Sequence, residues 1–400
     1  MPPALDTSPA PLLTCRGLRA RSLSPAATLL RDLVALPSVN PAFVPAGDPT
    51  AGEARIADFI AALGARAGLD VEFQDVRPGR RNVLLRLTPP GRLRRRLLLA
   101  PHLDTVGVIG GNARAFTPDI RGGRLYGRGA CDTKGSVAAM LTAMFTLAKS
   151  GRRPAGTEIV FAGLVDEESL QLGARALVKS GLRADLAIVG EPTRLRVVTA
   201  HKGDLWVTLE TRGRAAHGAM PELGRNAVRE MARVVEALEG DYTAALRRKS
   251  HPLLGRPTIN VGVIRGGTQA NVVPDRCVIE ADRRTLPGET HAGVLREIRA
   301  FLAGRGLKVK LADLKGVPEP ALETDPALPL VRQFMLAAKS PAPCGVHYFC
   351  DAAVLAMGGT PAVVFGPGDI AQAHTAEEWI ALAQLDRAVE ILRRFLESLA

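Results

Sequence analysis

Apolar positions along this 400-residue chain follow two different rhythms. Ser24-Pro25 offers a helix N-cap followed by proline at the first helical position, and Leu29, Leu30, Leu33 and Val34 then share one helical face. Ile56, Phe59, Ile60 and Leu63 recur at i, i+3, i+4 and i+7, which predicts a second helix. Short apolar runs at 83–87, 97–100, 159–165 and 186–189 predict strands, and 136–148 predicts a helix between them. Strands that are apolar on both faces and alternate with helices describe a buried, mostly parallel sheet with helices on both faces, the α/β class.

Downstream of about residue 200 the rhythm changes. Residues 206–211 alternate as a half-exposed strand does, 226–238 form an amphipathic helix, 258–264 and 277–282 read as strands, 294–302 as a helix and 308–311 as a closing strand. That is the content of a small two-layer α+β sandwich. Apolar strand signal returns at 362–365, and 382–396 predicts a terminal helix. The expected organisation is an α/β catalytic domain, residues 23–198 and 313–400, interrupted by an inserted α+β domain, residues 199–312.

Hydrophobic residues at 46% and charged residues at 23% sit at the globular average, which excludes a disordered or fibrous chain. No apolar stretch approaches the roughly 18 residues of a membrane span, so no membrane partner is expected. The net charge, 52 − 40 = +12, raises nucleic acid as a partner. Its distribution argues against one: the basic residues are scattered, and the dense run Arg92 to Arg96 leads straight into an apolar strand. Aromatics are 4% of the chain, too few for stacking platforms, and no nucleic acid is expected. Five cysteines without C-x-x-C spacing form neither a disulfide framework nor a zinc knuckle, which fits a reducing cytoplasm. Residues 1–22 mix Pro, Ser and Arg without a secretory pattern and read as a disordered tail.

Candidate chemistry sits where the apolar strands end. Strand 97–100 runs into Pro101-His102-Leu103-Asp104-Thr105, and extended backbone puts His102 and Asp104 on one side. Gly127-Arg128-Gly129-Ala130-Cys131-Asp132-Thr133-Lys134-Gly135 follows, with glycines on either side of one carboxylate. Asp166-Glu167-Glu168 ends a third strand, Glu191 a fourth, and Ala373-His374-Thr375-Ala376-Glu377-Glu378 follows a fifth. Each segment alone reads equally as an ordinary turn or a solvated loop. Together they deliver His, Asp or Glu at five successive strand ends, where open α/β sheets bind ligands. His102, Asp132, Glu168, Glu191 and His374 are mixed nitrogen and oxygen donors suited to two divalent ions, zinc first and cobalt or manganese in its place. Glu167, beside a ligand but unable to point the same way, is left as a general base. Cys131 reads as a thiolate or as a small buried thiol, and Lys202 as a contact for an anionic substrate or as a solvated strand start.

These segments, with R-A-A-H-G-A-M-P-E-L-G-R-N-A from Arg214, N-V-V-P-D from Asn271 and D-R-R-T-L-P-G from Asp282, resemble the acetylornithine deacetylase/succinyl-diaminopimelate desuccinylase family from about residue 25 onward. That family of two-zinc amidohydrolases includes carboxypeptidase G-type enzymes and aminoacylases. The resemblance implies that Asp132 bridges two ions, with His102 and Glu191 on one and Glu168 and His374 on the other. It implies that Asp104 orients His102 and that Glu167 is the base. It also implies a homodimer formed through the inserted domain, which serves as lid and dimerisation unit. His217 then reaches the partner's site, and Asn271 and Arg284 hold the substrate carboxylate. The implied substrate is an N-acyl amino acid, with a dipeptide or a glutamate-releasing carboxypeptidase substrate as the alternative and a non-catalytic binding protein as the remote one. One departure is Ser169-Leu170, where the family has a glycine after its D-E-E, which puts the path of that loop in question.

Overall fold

Ser24 caps the first helix, Pro25–Val34: its Oγ accepts from the Ala27 N–H at 3.2 Å, with Pro25 in the first turn. The computed structural model describes residues 23–108 and 114–399, so the tail expected at 1–22 lies outside the described residues. Strands Thr157–Gly163, Arg95–Pro101, Leu186–Gly190 and Ala362–Val364 lie side by side and parallel at the centre of a nine-stranded sheet. Arg80–Leu87 and Asp70–Arg77 extend one flank antiparallel. On the other flank Val198–His201 pairs with Ala362–Val364, Leu322–Glu323 and Cys344–Val346.

The alternation inside the central strands decides which helices cover which face. Leu97, Leu99, Ile159, Phe161 and Ile188 pack with helices Pro25–Val34, Ala54–Arg66, Lys134–Lys149, Pro329–Ala338 and Leu382–Glu397. Leu98, Ala100, Val160, Ala162 and Val189 pack on the other face, with Leu172–Lys179 and Asp351–Met357. Because successive side chains point oppositely, each apolar run feeds two cores at once.

A second sheet of Thr258–Gly266, Arg276–Thr285, Gly203–Arg212 and Lys310–Asp313, in that order and antiparallel, has its own core. Leu205, Val207, Leu209 and Ile279 meet Met231 and Val234 of helix Ala227–Ala237 and Ile298 of helix His291–Ala303. Among the described residues no helix is long and apolar enough to cross a membrane.

His201, at the end of Val198–His201, is fully buried, with its ring edge-on to Phe349. Nδ1 lies 2.8 Å from the Lys202 carbonyl, while Nε2 has no partner among the described residues. Burial pushes this imidazole down to about 4. The unfolded chain protonates it near 6.5, so between those values the unfolded state binds more protons and stability falls as the pH drops. The advantage is complete above pH 6.5. His201→Gln is expected to flatten that acid-side decline by up to about 3 kcal/mol at pH 4, measured as the difference in urea unfolding free energy between the two proteins. A difference that stays constant with pH would refute a buried neutral His201.

Candidate metal centre

The donors gather at the carboxyl ends of the central strands. His102 follows Arg95–Pro101, and a bridge to Leu164 holds it beside the neighbouring strand end. Glu167 and Glu168 follow Thr157–Gly163, and Glu191 follows Leu186–Gly190 directly. Asp132 sits on the turn before helix Lys134–Lys149, with a cis peptide to Thr133. Thr133 Oγ1 donates to the Gly190 carbonyl at 2.7 Å, which ties this turn to the strand carrying Glu191. Gly129, at φ 83, allows the turn its left-handed step. His374 arrives on the loop after Ala362–Val364 and is itself left-handed, at φ 59.

Asp132 stands between the two histidines. Its Oδ1 is 3.1 Å from His102 Nε2, and its Oδ2 is 3.3 Å from His374 Nε2. Glu168 lies 3.1 Å from His374 Nε2, and Glu191 lies 3.8 Å from His102 Nε2. Ligand atoms of His102, Asp132 and Glu168 fall within 4.8 Å of one another, as do those of His102, Glu167 and Glu191. Glu167 therefore stands within ligand reach as well. His102, Asp132 and Glu191 are buried, whereas the His374 side chain is 54% exposed.

The electrostatics describe a surplus of negative charge. Burial pushes the carboxyls of Glu167 and Glu191 well above their usual range, and Glu191 adds to the push on Glu167. Burial, with Asp132 nearby, raises Glu168. Burial also acts upward on Asp132, but the hydrogen bonds from His102 and His374 outweigh it and hold that carboxyl low. Asp132 and Glu168 in turn lift the His374 imidazole to about 10. Four carboxylates and two imidazoles, arranged so that the imidazoles are driven to carry positive charge, are a donor set that a divalent cation fits.

The surrounding polar groups hold these donors. His102 Nδ1 is 3.0 Å from the main-chain carbonyl of Asp104 and 3.6 Å from its carboxylate. That carboxylate accepts from Asn40 Nδ2 at 2.8 Å and from the N–H groups of Glu167 and Glu168 at 3.1 Å. Asp104 thus fastens the His102 segment to the D-E-E turn. Asp166 is spent on structure: Arg80 reaches it at 2.7 Å and Asn40 at 3.0 Å, and Arg80 also pairs with the buried Glu53. Just past Ser169-Leu170, where the family has a glycine, the turn closes through the Gln171 N–H on the Asp166 carbonyl at 2.7 Å, and Gln171 takes the left-handed conformation at φ 54.

Arg80, Glu53, Asn40 and Asp351 carry no sequence signal of their own, and Glu378 stands in the H-T-A-E-E segment without a role assigned to it there. Asp351 is buried, burial pushes it up to about 7, and neither of its oxygens has a partner among the described residues. Cys131 is a buried thiol, raised by burial, that donates to the Asp369 carbonyl at 3.4 Å. Lys202 is buried and donates to the Arg256 carbonyl at 2.6 Å rather than standing in solvent.

His217 and Asn271 are exposed neighbours: His217 bridges to Val272, and the Gly218 N–H donates to the Asn271 carbonyl at 2.7 Å. Arg284 Nε lies 3.0 Å from Asp282 and 3.5 Å from Asp204. Among the described residues no hydrogen bond or ion pair joins these three to the donor cluster of the same chain.

Imidazoles and carboxylates converging at the carboxyl ends of a parallel sheet, with a further carboxylate beside them, are the donor set of a metal-dependent hydrolase. The chain belongs to Peptidase family M20/M25/M40, whose sequence model matches residues 98–398. It is 36% identical over 311 residues to an acetylornithine deacetylase of Myxococcus xanthus, covering 76% of this chain and 80% of that protein. It is 31% identical over 358 residues to an acetylornithine deacetylase of Vibrio cholerae, covering 86% and 90%. Its fold is similar to the M20 family metallo-carboxypeptidase Sso-CP2 from Sulfolobus solfataricus, with a TM-score of 0.76 and 20% identity, covering 94% of this chain and 99% of that one.

Proposed function

We propose that this chain is a cytoplasmic deacylase of N-acyl amino acids, of the acetylornithine deacetylase kind. In this reading it holds two divalent ions, zinc foremost and cobalt or manganese as substitutes. The observation that carries the reading is Asp132, one carboxylate whose two oxygens face two different histidines, with Glu168 and Glu191 beside them. His102 and Glu191 would hold one ion, Glu168 and His374 the other, and Asp132 both. When bound, such ions draw the pKa of a water toward neutral and polarise a carbonyl. Glu167 takes a proton from the attacking water and returns it to the leaving nitrogen. Asp104 keeps the His102 ring in place. The similarity to acetylornithine deacetylases at 31–36% identity supports the substrate class. Cys131, Cys277, Cys344 and Cys350, buried and in no disulfide among the described residues, support the reducing compartment.

Activity against N-acetyl, N-succinyl and dipeptide substrates, with zinc or cobalt added, tests the proposal. N-acyl amino acids should be turned over and dipeptides should not. Turnover of dipeptides alone would overturn the substrate assignment.

The second sheet is proposed as the lid and dimerisation unit; it spans Gly203 to Asp313 rather than the expected 199–312, because residues 199–201 complete a strand of the large sheet. Its edge strand Thr258–Gly266 is largely exposed and, among the described residues, pairs with a strand on one side only, the Val261 N–H on the other side being taken by Glu239 at 2.8 Å; the rest of that edge could pair with a second copy. His217 would donate to the developing oxyanion of the partner's substrate, while Asn271 and Arg284 hold its carboxylate. Mixing inactive Glu167→Ala with inactive His217→Ala protein should restore up to about half the activity per mixed dimer, because each mixed dimer keeps one site with both groups intact. Subunit exchange without recovered activity would remove the crossing role of His217.

A further inference from the structure

The segment that brings in His374 ends at Glu377-Glu378, and Glu378 belongs to the architecture of a different donor. Strand Trp379–Ala381 pairs antiparallel with Arg124–Tyr126, which lays Glu378 against Gly127, whose N–H donates to the Glu378 carbonyl at 3.0 Å. The Glu378 side chain then enters the turn that carries Asp132. Its Oε1 accepts from the N–H groups of Cys131 and Asp132 at 2.8 and 2.9 Å. Its Oε2 accepts from the Gly129 N–H at 2.8 Å and Arg128 Nη1 at 2.7 Å. Glu378 is 2% exposed, and the acceptor capacity of its carboxylate is well used. Arg128 Nη2 reaches onward to the Thr375 carbonyl at 3.1 Å, next to His374.

A buried carboxylate with this many donors stabilises any turn. What distinguishes Glu378 is that both of its connections lead to a metal donor: through the Asp132 N–H to one, and through Arg128 and its own chain to His374. We propose that Glu378 is a positioning residue that fixes Asp132 relative to His374 and so sets the affinity of the ion held between them. It touches neither ion nor substrate and acts through the Asp132 backbone. The inference rests on the two-ion reading given above.

Glu378→Gln isolates this role. An amide offers one oxygen and one NH2, and two donors converge on each original oxygen. Whichever way the amide turns, its NH2 meets N–H donors; with Arg128 retaining the oxygen, the NH2 faces Cys131 and Asp132 and displaces the Asp132 backbone. Losing an outer-shell partner of this kind typically weakens metal binding about 10–100-fold.

The test is titration of the metal-free full chain with cobalt, read by visible absorption and by bound cobalt at equilibrium dialysis. For the wild type, Glu378→Gln and Glu378→Asp are compared, with thermal unfolding of each metal-free protein alongside. Expected are two cobalt ions in the wild type, one bound about 10–100-fold more weakly in Glu378→Gln with a changed absorption band, and intermediate affinity in Glu378→Asp, which keeps two acceptor oxygens. Unchanged cobalt affinities and spectrum, with only the thermal midpoint lowered, would overturn the proposal. If Glu378→Gln does not fold, unchanged cobalt affinity in Glu378→Asp overturns it equally. A wild type that binds fewer than two cobalt ions defeats the two-ion reading instead, a result distinguishable from the first two.

Discussion

Glu167→Gln is expected to lower turnover by about 10²–10⁴ while leaving the fold and the metal content intact, the usual loss when a positioned general base is removed. The turn that holds Glu167 is built from main chain: its N–H donates to Asp104 and its carbonyl accepts from Gln171 Nε2 at 2.9 Å. Gln keeps the shape and removes the charge that accepts a proton. Turnover should be read as kcat, beside metal content per chain. Because the Glu167 carboxylate stands within ligand reach of His102 and Glu191, the alternative result has a clear meaning. Loss of an ion together with the activity would make Glu167 a ligand, and near wild-type turnover would remove it from the chemistry.

Asp132→Asn is expected to be the ligand substitution that excess metal rescues least. An outer-shell loss costs about 10–100-fold in affinity, and a donor shared by two ions should cost more than about 100-fold. Chelation of the wild type should abolish activity and zinc or cobalt should restore it, whereas His374→Ala should regain part of its activity at high metal and Asp132→Asn almost none. The Asp132 N–H still reaches Glu378 in the Asn variant, so the turn itself should persist. Full activity in a chelated, metal-free preparation would defeat the metal-dependent reading, and full rescue of Asp132→Asn would defeat the bridge.

The central strands were legible because both of their faces are buried, so Leu97 to Ala100 could be apolar without interruption. Strand Asp70–Arg77 escaped notice: it carries charge at Asp70, Glu72, Asp75 and Arg77, and its pairing with Arg80–Leu87 is what makes it a strand. The residues proposed as donors stood out as well: His102, Glu168 and Glu191 follow strand ends of the large sheet, while Asp132 lies on a glycine-flanked turn before helix Lys134–Lys149 and His374 on a longer loop. Their supports did not. The bonds from Glu378 to Asp132 and from Asn40 to Asp104 span 246 and 64 residues, and such partners are chosen by the folded sheet rather than by local pattern. Asp104 illustrates the limit: its carboxylate accepts from the N–H groups of Glu167 and Glu168, and every residue but proline carries that donor, so no residue type advertises it.

Where the chain leaves the large sheet and where it comes back are adjacent: Leu322 stands opposite His201 in an antiparallel pair. The whole stretch between them is topologically a long hairpin tip, closed at its base by that pairing. The stretch is no slack loop, for it folds around its own core, so its two ends are held together both by the large sheet and by the second sheet's own packing. Four of the five proposed donors precede this detour and only His374 follows it, so a ribosome would complete the donor set only after the whole detour has been made. An abortive fragment ending inside the detour would carry Asp132 without one of the two imidazoles that flank it.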